Sequence, residues 1–562
     1  MDIYGFDFEA PNSPINSATT KRKRNYVGGT FNFTTQLPQH EVKFGASFER
    51  WTARNFQYSG LGARNALTGA KANPDVFRRA LAGDPNAQRN FAVTLGRSAR
   101  FTYGYDVFGN EIDQGGVDGA RNPQYFSAYL QDKFEANDIV INAGVRIDVI
   151  DNDDFTFVDP ANPPWDRTNR GLFEDQIIDK GADVEFSPRL GLAFPVTDRT
   201  VFHMQYGRFV QAPRLTDIYN GSTWYDAVFT GGTSFQTNVT GFGLDPEITT
   251  QYEMGFNQQF SDNAAFDITT FYKNIKDQIQ LRRAVADATS PAGDYNILQN
   301  GDFSTTAGVE MSMTLRRTNR LAAQVNYTFS RALGTGSVPA SAIAAVEVLG
   351  TLPSVVSPLD FHRAQTGSFN LDYRYGRGDG GPLLEQLGAN FLFTFRSGHP
   401  YTLAEGDLGQ SDESVGGQIQ DGRFRRPLES INASTTPWNF QLDIRLDKTV
   451  NFGKFSTNFY IYVQNATNKK NVNNVFNRTG NAFNDGFLDN AALNAPVIQG
   501  RENDAVQNGL DASTGAQAYE ALYRAINLSG NALNFRANQN NISGLEVLGI
   551  PRQFRLGARV EF

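Results

Sequence analysis

Along most of this chain, apolar and polar residues alternate one by one. In the stretch 137–151, Ile139, Ile141, Ala143, Val145, Ile147 and Val149 share one parity, and Asn142, Gly144, Arg146 and Asp148 share the other. The final stretch, PRQFRLGARVEF, puts Phe554, Leu556, Ala558, Val560 and Phe562 on one face and Gln553, Arg555, Gly557, Arg559 and Glu561 on the other. A period of two is the signature of a β-strand with one apolar face. The same reading predicts strands over 26–37, 40–58, 122–135, 137–151, 183–196, 200–211, 248–260 and 263–277. It continues over 302–317, 320–333, 361–375, 383–398, 436–450, 454–466 and 551–562.

The connections between these strands alternate in length. PQH, EAN, TDR, SDN, TN and NFG are short turns, and a glycine-rich turn joins 361–375 to 383–398. The connections between successive pairs are long: 59–121, 152–182, 212–247, 334–360, 399–435 and 467–550. A strand that closes a chain on an exposed aromatic, strands longer than the usual ~5–6 residues, and turns that are short on one side only all point to one class. The expected fold is all-β, a large antiparallel transmembrane β-barrel with about fifteen strands visible, with short periplasmic turns and long extracellular loops. Residues 1–25 are expected to be an irregular lead-in and 26–562 the barrel. With Phe562 at the periplasm, the count back to 26–37 keeps every short turn on the periplasmic side.

Composition removes several alternatives. No apolar run approaches the roughly 20 residues of a transmembrane helix. A mean hydropathy of −0.42 is still compatible with a membrane protein, because a barrel strand shows lipid only every second residue. The chain has no Cys, which removes thiolate chemistry and disulfides. A net charge of −8 argues against nucleic acid as a partner. No GxSxG elbow, phosphate-binding loop or close histidine pair occurs, so neither an enzyme nor a cofactor or metal site is expected. His40, His203, His362 and His399 are far apart in sequence.

The parity opposite the apolar one carries the polar groups. Lys43, Glu49, Arg146, Asp148, Arg189, Glu253, Glu310, Asp372, Arg374, Arg396, Asp443, Arg445, Arg555, Arg559 and Glu561 are therefore candidates for the lumen. They would line a ligand path, grip a plug, or satisfy one another as ion pairs. Two acidic loop clusters, Asp151, Asp153 and Asp154, and Asp407, Asp412 and Glu413, could bind calcium or could be solvated loop faces. Trp165, Trp224 and Tyr225 could meet a ligand or pack the loops.

Several strands, in order, resemble the C-terminal barrel of TonB-dependent outer-membrane receptors. They are FSPRLGLAFPVTDRTVFHMQYGRFVQAP, LDPEITTQYEMGFNQQFSDNAAFDITTFYKNIKDQIQ, STTAGVEMSMTLRRTNRLAAQVNYTFSRALG, PLDFHRAQTGSFNLDYRYG, FRSGHPYT, LDKTVNFGKFSTNFYIYVQNATNKKNV and FRLGARVEF. The resemblance implies a 22-stranded barrel holding a plug domain, outer-membrane lipid around it, an energy-coupling partner of the TonB type, and uptake of a scarce or large ligand of unknown identity. No stretch here looks like a plug or an energy-coupling box. The opening MDIYGFDFEAPNSP has neither the basic nor the apolar region of a signal peptide. The expectation is that Met1 is not the natural start and that upstream residues supply the plug and the missing strands. A plugless porin-like channel and a surface-binding or scaffold protein remain as alternatives.

Overall fold

The computed structural model describes residues 18–59, 74–84, 87, 102–106, 109–113, 115–136, 138–168, 171–229, 240–338, 355–404, 427–453, 455–484, 486–527 and 548–562. Fifteen long strands follow one another in a single sheet, each paired with its neighbour in sequence. They are β1 (Ala18–Gln36), β2 (His40–Ser59), β3 (Gln124–Ala136), β4 (Ile139–Asp151) and β5 (Asp183–Thr197). Next come β6 (Thr200–Gln211), β7 (Glu247–Ser261), β8 (Ala264–Ala284), β9 (Tyr295–Thr318) and β10 (Leu321–Gly334). The sheet ends with β11 (Gln365–Arg374), β12 (Leu387–Arg396), β13 (Asn439–Phe452), β14 (Phe455–Gln464) and β15 (Gln553–Glu561).

Every pairing is antiparallel, as tight turns between consecutive strands require. The edges β1 and β15 each have a partner on one side only among the described residues, and closure into a barrel is not seen. Fifteen alternating directions leave these two edges running the same way, so they cannot pair antiparallel with each other. Residues 1–17 lie outside the described residues.

The two faces are as the alternation requires. Ile139, Val145, Phe459, Ile461, Phe554, Leu556 and Val560 are exposed. Ile141, Ile147, Phe391 and Phe393 are partly exposed, and none of the eleven belongs to a buried apolar cluster. The buried clusters among the described residues lie instead at the long-loop end. One joins Ala53, Tyr103, Ile218, Tyr219, Leu244, Ile279, Leu281 and Leu298. A second gathers Phe155, Phe157, Trp165, Trp224, Tyr225 and Phe229 with Tyr295 and Ile297. The described residues of the loops around Tyr103 and Val117, around Phe155 and Trp165, and around Ile218, Tyr225 and Leu244 thus fold together over the tops of β2–β9. A sheet with apolar side chains outside and apolar cores only in its loops is built for lipid, not for a soluble sandwich.

Several boundaries differ from the sequence reading. β1 begins at Ala18, so 18–25 belong to the wall rather than to a lead-in. Its KRKRN stretch alternates poorly but is held by Lys23 to Glu111, 3.0 Å, and Arg22 to Asn55, 3.1 Å. Residues 381–384 form a helical turn instead of the start of a strand, because Gly380 and Gly381 take positive φ and Pro382 follows. Residues 361–364 likewise lie outside β11. β8 and β9 run well past their predicted ends. A double irregularity near Asp277, whose φ is 59°, lets the hairpin continue into the loop layer. Segment 467–550 carries two helices, α1 (Ala491–Gln507) and α2 (Ala512–Asn527), packed through Phe487, Tyr519 and Tyr523.

Candidate functional site on the polar face

The polar face opens into a hollow of about 590 Å³ across β2–β7. Register explains it. One row across the sheet reads Lys43, Gln131, Gly144, Arg189, Gly207 and Gln251, residue opposite residue. The next row places Gly191 between Asn142 and Gln205. Glycines on three adjacent strands therefore contribute no side chain of their own to the floor, and long polar groups rise around it. Phe209 folds back over Gly207, where a Cβ would meet its ring at 2.8 Å. The Arg189 guanidinium lies over that ring, 4.8 Å from its centroid. Lys43, Arg146 and Arg189, three of the predicted lumen residues, meet at this hollow.

A second group forms near the short-turn end of β11–β14. Arg374 donates two hydrogen bonds of 2.8 Å to Asp447, and lies 3.7 Å from Asp372. Asp372 also receives Arg317, and Arg445 lies 3.8 Å from Asp447 and stacks on Tyr460 at 4.9 Å. Charges of alternating sign thus run in a chain from β9 to β13, three arginines against two aspartates. Of this set the sequence reading named Asp372, Arg374 and Arg445 but missed Arg317 and Asp447. The signal for Asp447 was present: it continues the parity of Asp443 and Arg445.

The other predicted residues stay more local. Arg146 pairs with Asp148, 2.8 Å, Arg559 with Glu561, 3.1 Å, and Lys43 with Glu41. Asp443 accepts from Gln441, 2.9 Å, from the Tyr462 hydroxyl, 2.7 Å, and from the Asn465 amide, 2.9 Å. Glu49 accepts from the Trp51 indole, 3.1 Å, and Glu253 from Gln251. Arg396 donates to Asn473, 3.3 Å, and Arg555 to Gln553, 3.3 Å. Glu310 is exposed. The ion pairs and local hydrogen bonds account for most of the set.

Burial decides one open choice in the loop layer. Trp165, Trp224 and Tyr225 are buried in the loop core, so they pack the loops. Asp151, Asp153 and Asp154 are held by backbone amides: Asp151 accepts from Asp153, 2.9 Å, and Asp153 from Asn122, 2.6 Å. Asp154 accepts from Phe155, 2.7 Å, and from Gly243, 2.9 Å, which ties segment 152–182 to segment 212–247. Burial outweighs these bonds and the nearby Arg121 and Lys180, pushing the Asp154 carboxyl up to about 7. Asp407, Asp412 and Glu413 lie outside the described residues. The four histidines remain apart, with His40 on Asp132, 2.7 Å, and His203 on Thr269, 3.2 Å. Among the described residues no cluster of His, Asp or Glu is placed to hold a metal ion.

Comparison with known proteins adds a family. None of the curated proteins matches the chain. Among solved structures, it is similar to the FrpB iron transporter from Neisseria meningitidis at 14% identity and a TM-score of 0.46, over 81% of this chain and 52% of that one. It is also similar to the outer membrane transporter YddB from Escherichia coli, at 11% identity and a TM-score of 0.46, over 81% and 52%. The ferric yersiniabactin uptake receptor FyuA from Yersinia pestis is similar at 11% identity and a TM-score of 0.44, over 81% and 51%. The chain spans about half the length of these structures. A family model described as TonB dependent receptor-like, beta-barrel matches residues 2–355. With that match over more than half its length, the chain belongs to the TonB-dependent receptor-like β-barrel family, a family of receptors rather than of enzymes.

Proposed function

We propose that this chain is the barrel wall of an outer-membrane receptor that imports a scarce or large ligand, with its polar face lining the ligand path and a plug domain and TonB-type partner completing the machine. The observation that carries the reading is the division of the sheet. Apolar side chains cover one face, while Arg317, Asp372, Arg374, Asp447 and Arg445 form a chain of ion pairs on the other. Such a wall presents hydrocarbon to lipid and a satisfied polar surface to water or to a protein insert. The folded loop layer over β2–β9 supports a receptor, because it gives the long-loop end a structured surface. The lumen positions named above are part of this proposal, as is the outer-membrane location.

Planar-bilayer recording tests it, with the protein extracted from its native membrane. A gated receptor gives little steady conductance. A large, constant conductance would overturn the receptor reading in favour of a plugless porin-like channel. Absence from the outer-membrane fraction would overturn both.

A further inference from the structure

Around the hollow on β2–β7, several hydrogen-bonding groups have no protein partner among the described residues. The carboxamides of Gln131, Asn142 and Gln205 border it, and none of them bonds another described residue. Among the described residues, the Arg189 guanidinium contacts only the Phe209 ring. No protein acceptor among the described residues takes its N–H groups, which leaves the fork that fits a carboxylate or phosphate in two bonds. Lys43 and Arg146 keep their own carboxylates, Glu41 and Asp148, so Arg189 carries the unneutralised charge. The volume, about 590 Å³, falls within the roughly 300–1,000 Å³ of small-molecule sites.

We propose that this hollow is an anion subsite in the short-turn half of the wall, taking a compact, hydroxylated carboxylate. Arg189 receives the carboxylate, and the three carboxamides bond the hydroxyls. The glycine floor admits the ligand because Gly144 and Gly191 put no side chain in its way, while the Phe209 ring covers Gly207 and forms the wall under Arg189. The subsite rests on the uptake reading above, as a station on the path below the loop layer.

Calorimetry with gluconate and glucose, on the protein extracted from its native membrane, tests it. Gluconate is expected to bind and glucose to bind at least tenfold more weakly. Arg189→Ala should cost at least tenfold in gluconate affinity, and Arg189→Lys should recover only part. Gly191→Val fills the floor, and its Cβ meets nothing nearer than the Asn142 Cβ at 3.6 Å, so the wall should stand while binding is lost. Heat-modifiable migration on a gel checks that each variant is folded. Equal affinity for gluconate and glucose, or an Arg189→Ala protein that binds normally, overturns the subsite. So does a glutamate-rich peptide that binds through Arg189 where gluconate does not, which would make the hollow a docking point for a polypeptide. A gluconate failure on an outer-membrane protein defeats the subsite alone, whereas absence from the outer membrane defeats the uptake reading.

Discussion

Arg374 reaches Asp447 across an intervening strand, and it can do so because Gly388 lies between them. Gly388 pairs with Arg374 on one side and with Asp447 on the other. A Cβ there would sit 2.5 Å from the guanidinium carbon. The Asp447 side chain is only 3% exposed, and Asn458 supplies a further bond of 2.9 Å. Gly388→Ala should therefore push the arginine off and leave a buried carboxylate poorly compensated. Since Arg374 is itself partly solvated, the expected cost is about 2 kcal/mol, less than the loss of a fully buried pair. A urea midpoint reads it. In an Asp447→Asn background the same substitution should cost much less, and equal costs in both backgrounds would show that the pair is not what Gly388 serves.

The division of faces makes a second expectation quantitative. Ile461, opposite Leu556 on β14 and β15, is exposed on the apolar face. Ile461→Arg should destabilise the folded protein in bilayers by about 2 kcal/mol or more, as lipid-facing charges do. Ser312→Arg, on the parity of Glu310 and opposite Asp267, should cost well under 1 kcal/mol at a polar, solvated position. Similar costs for the two variants would argue against a lipid-facing side.

Asp154 links the loop layer to pH. Its carboxyl rises from an ordinary 3.8 to about 7 through burial, so between those values the folded loops hold a proton that unfolded loops have lost. Where the folded state binds more protons, stability falls as pH rises. The contribution is whole below about pH 4, declines through about pH 7, and is flat above. Exchange of the Gly243 amide, which donates to Asp154, should be slower at pH 5 than at pH 8 once corrected for intrinsic rates. Asp154→Asn should remove that difference, and a difference that survives the substitution would place the proton elsewhere.

How much of this was legible in the sequence depends on the element. The wall was, because lipid on one side and polar groups on the other impose a period of two that local composition cannot hide. Ile139, Ile141, Val145 and Ile147 announce β4 without any knowledge of its neighbours. Where a second constraint acts, the period fails as a guide. Above Asp277 both faces of the β8–β9 hairpin are covered by loops, so Leu281, Leu298 and Ile297 are all buried and the alternation that marks a strand is lost. The helices α1 and α2 lie in a long loop, and α1 contains Pro496, so no clear apolar stripe marked them. The hollow was not legible at all. Arg189 was visible as an inward cation, but Gly144 and Gly207 became its flanks only once register placed them on either side. Gly388 is the same case, since a glycine under a cross-strand ion pair has no signature until both partners are aligned.

The sheet edges carry the last expectation. β1 pairs with β2 over the whole run from Ala18 to Gln36, and its other side has no partner among the described residues. β15 is in the same position beyond Gln553–Glu561. Unpaired backbone groups in lipid cost several kcal/mol each, so both edges need strands beside them in the membrane. They run in the same direction, so pairing with each other would be parallel, against the rule of the whole wall. An odd number of further strands between them restores antiparallel pairing at both seams. The chain has no Cys, which makes the test clean. Cysteines placed singly at Thr30, Asn32 or Thr34 of β1, combined with one at Arg555, Gly557 or Arg559 of β15, should form no disulfide under oxidation in the native membrane. Adjacent strands lie ~4.8 Å apart and a disulfide tolerates up to about 7 Å between Cα atoms, so a directly closed seam would be trapped by at least one combination. A crosslink at any of them would mean that β1 and β15 meet, and that the wall closes without additional strands.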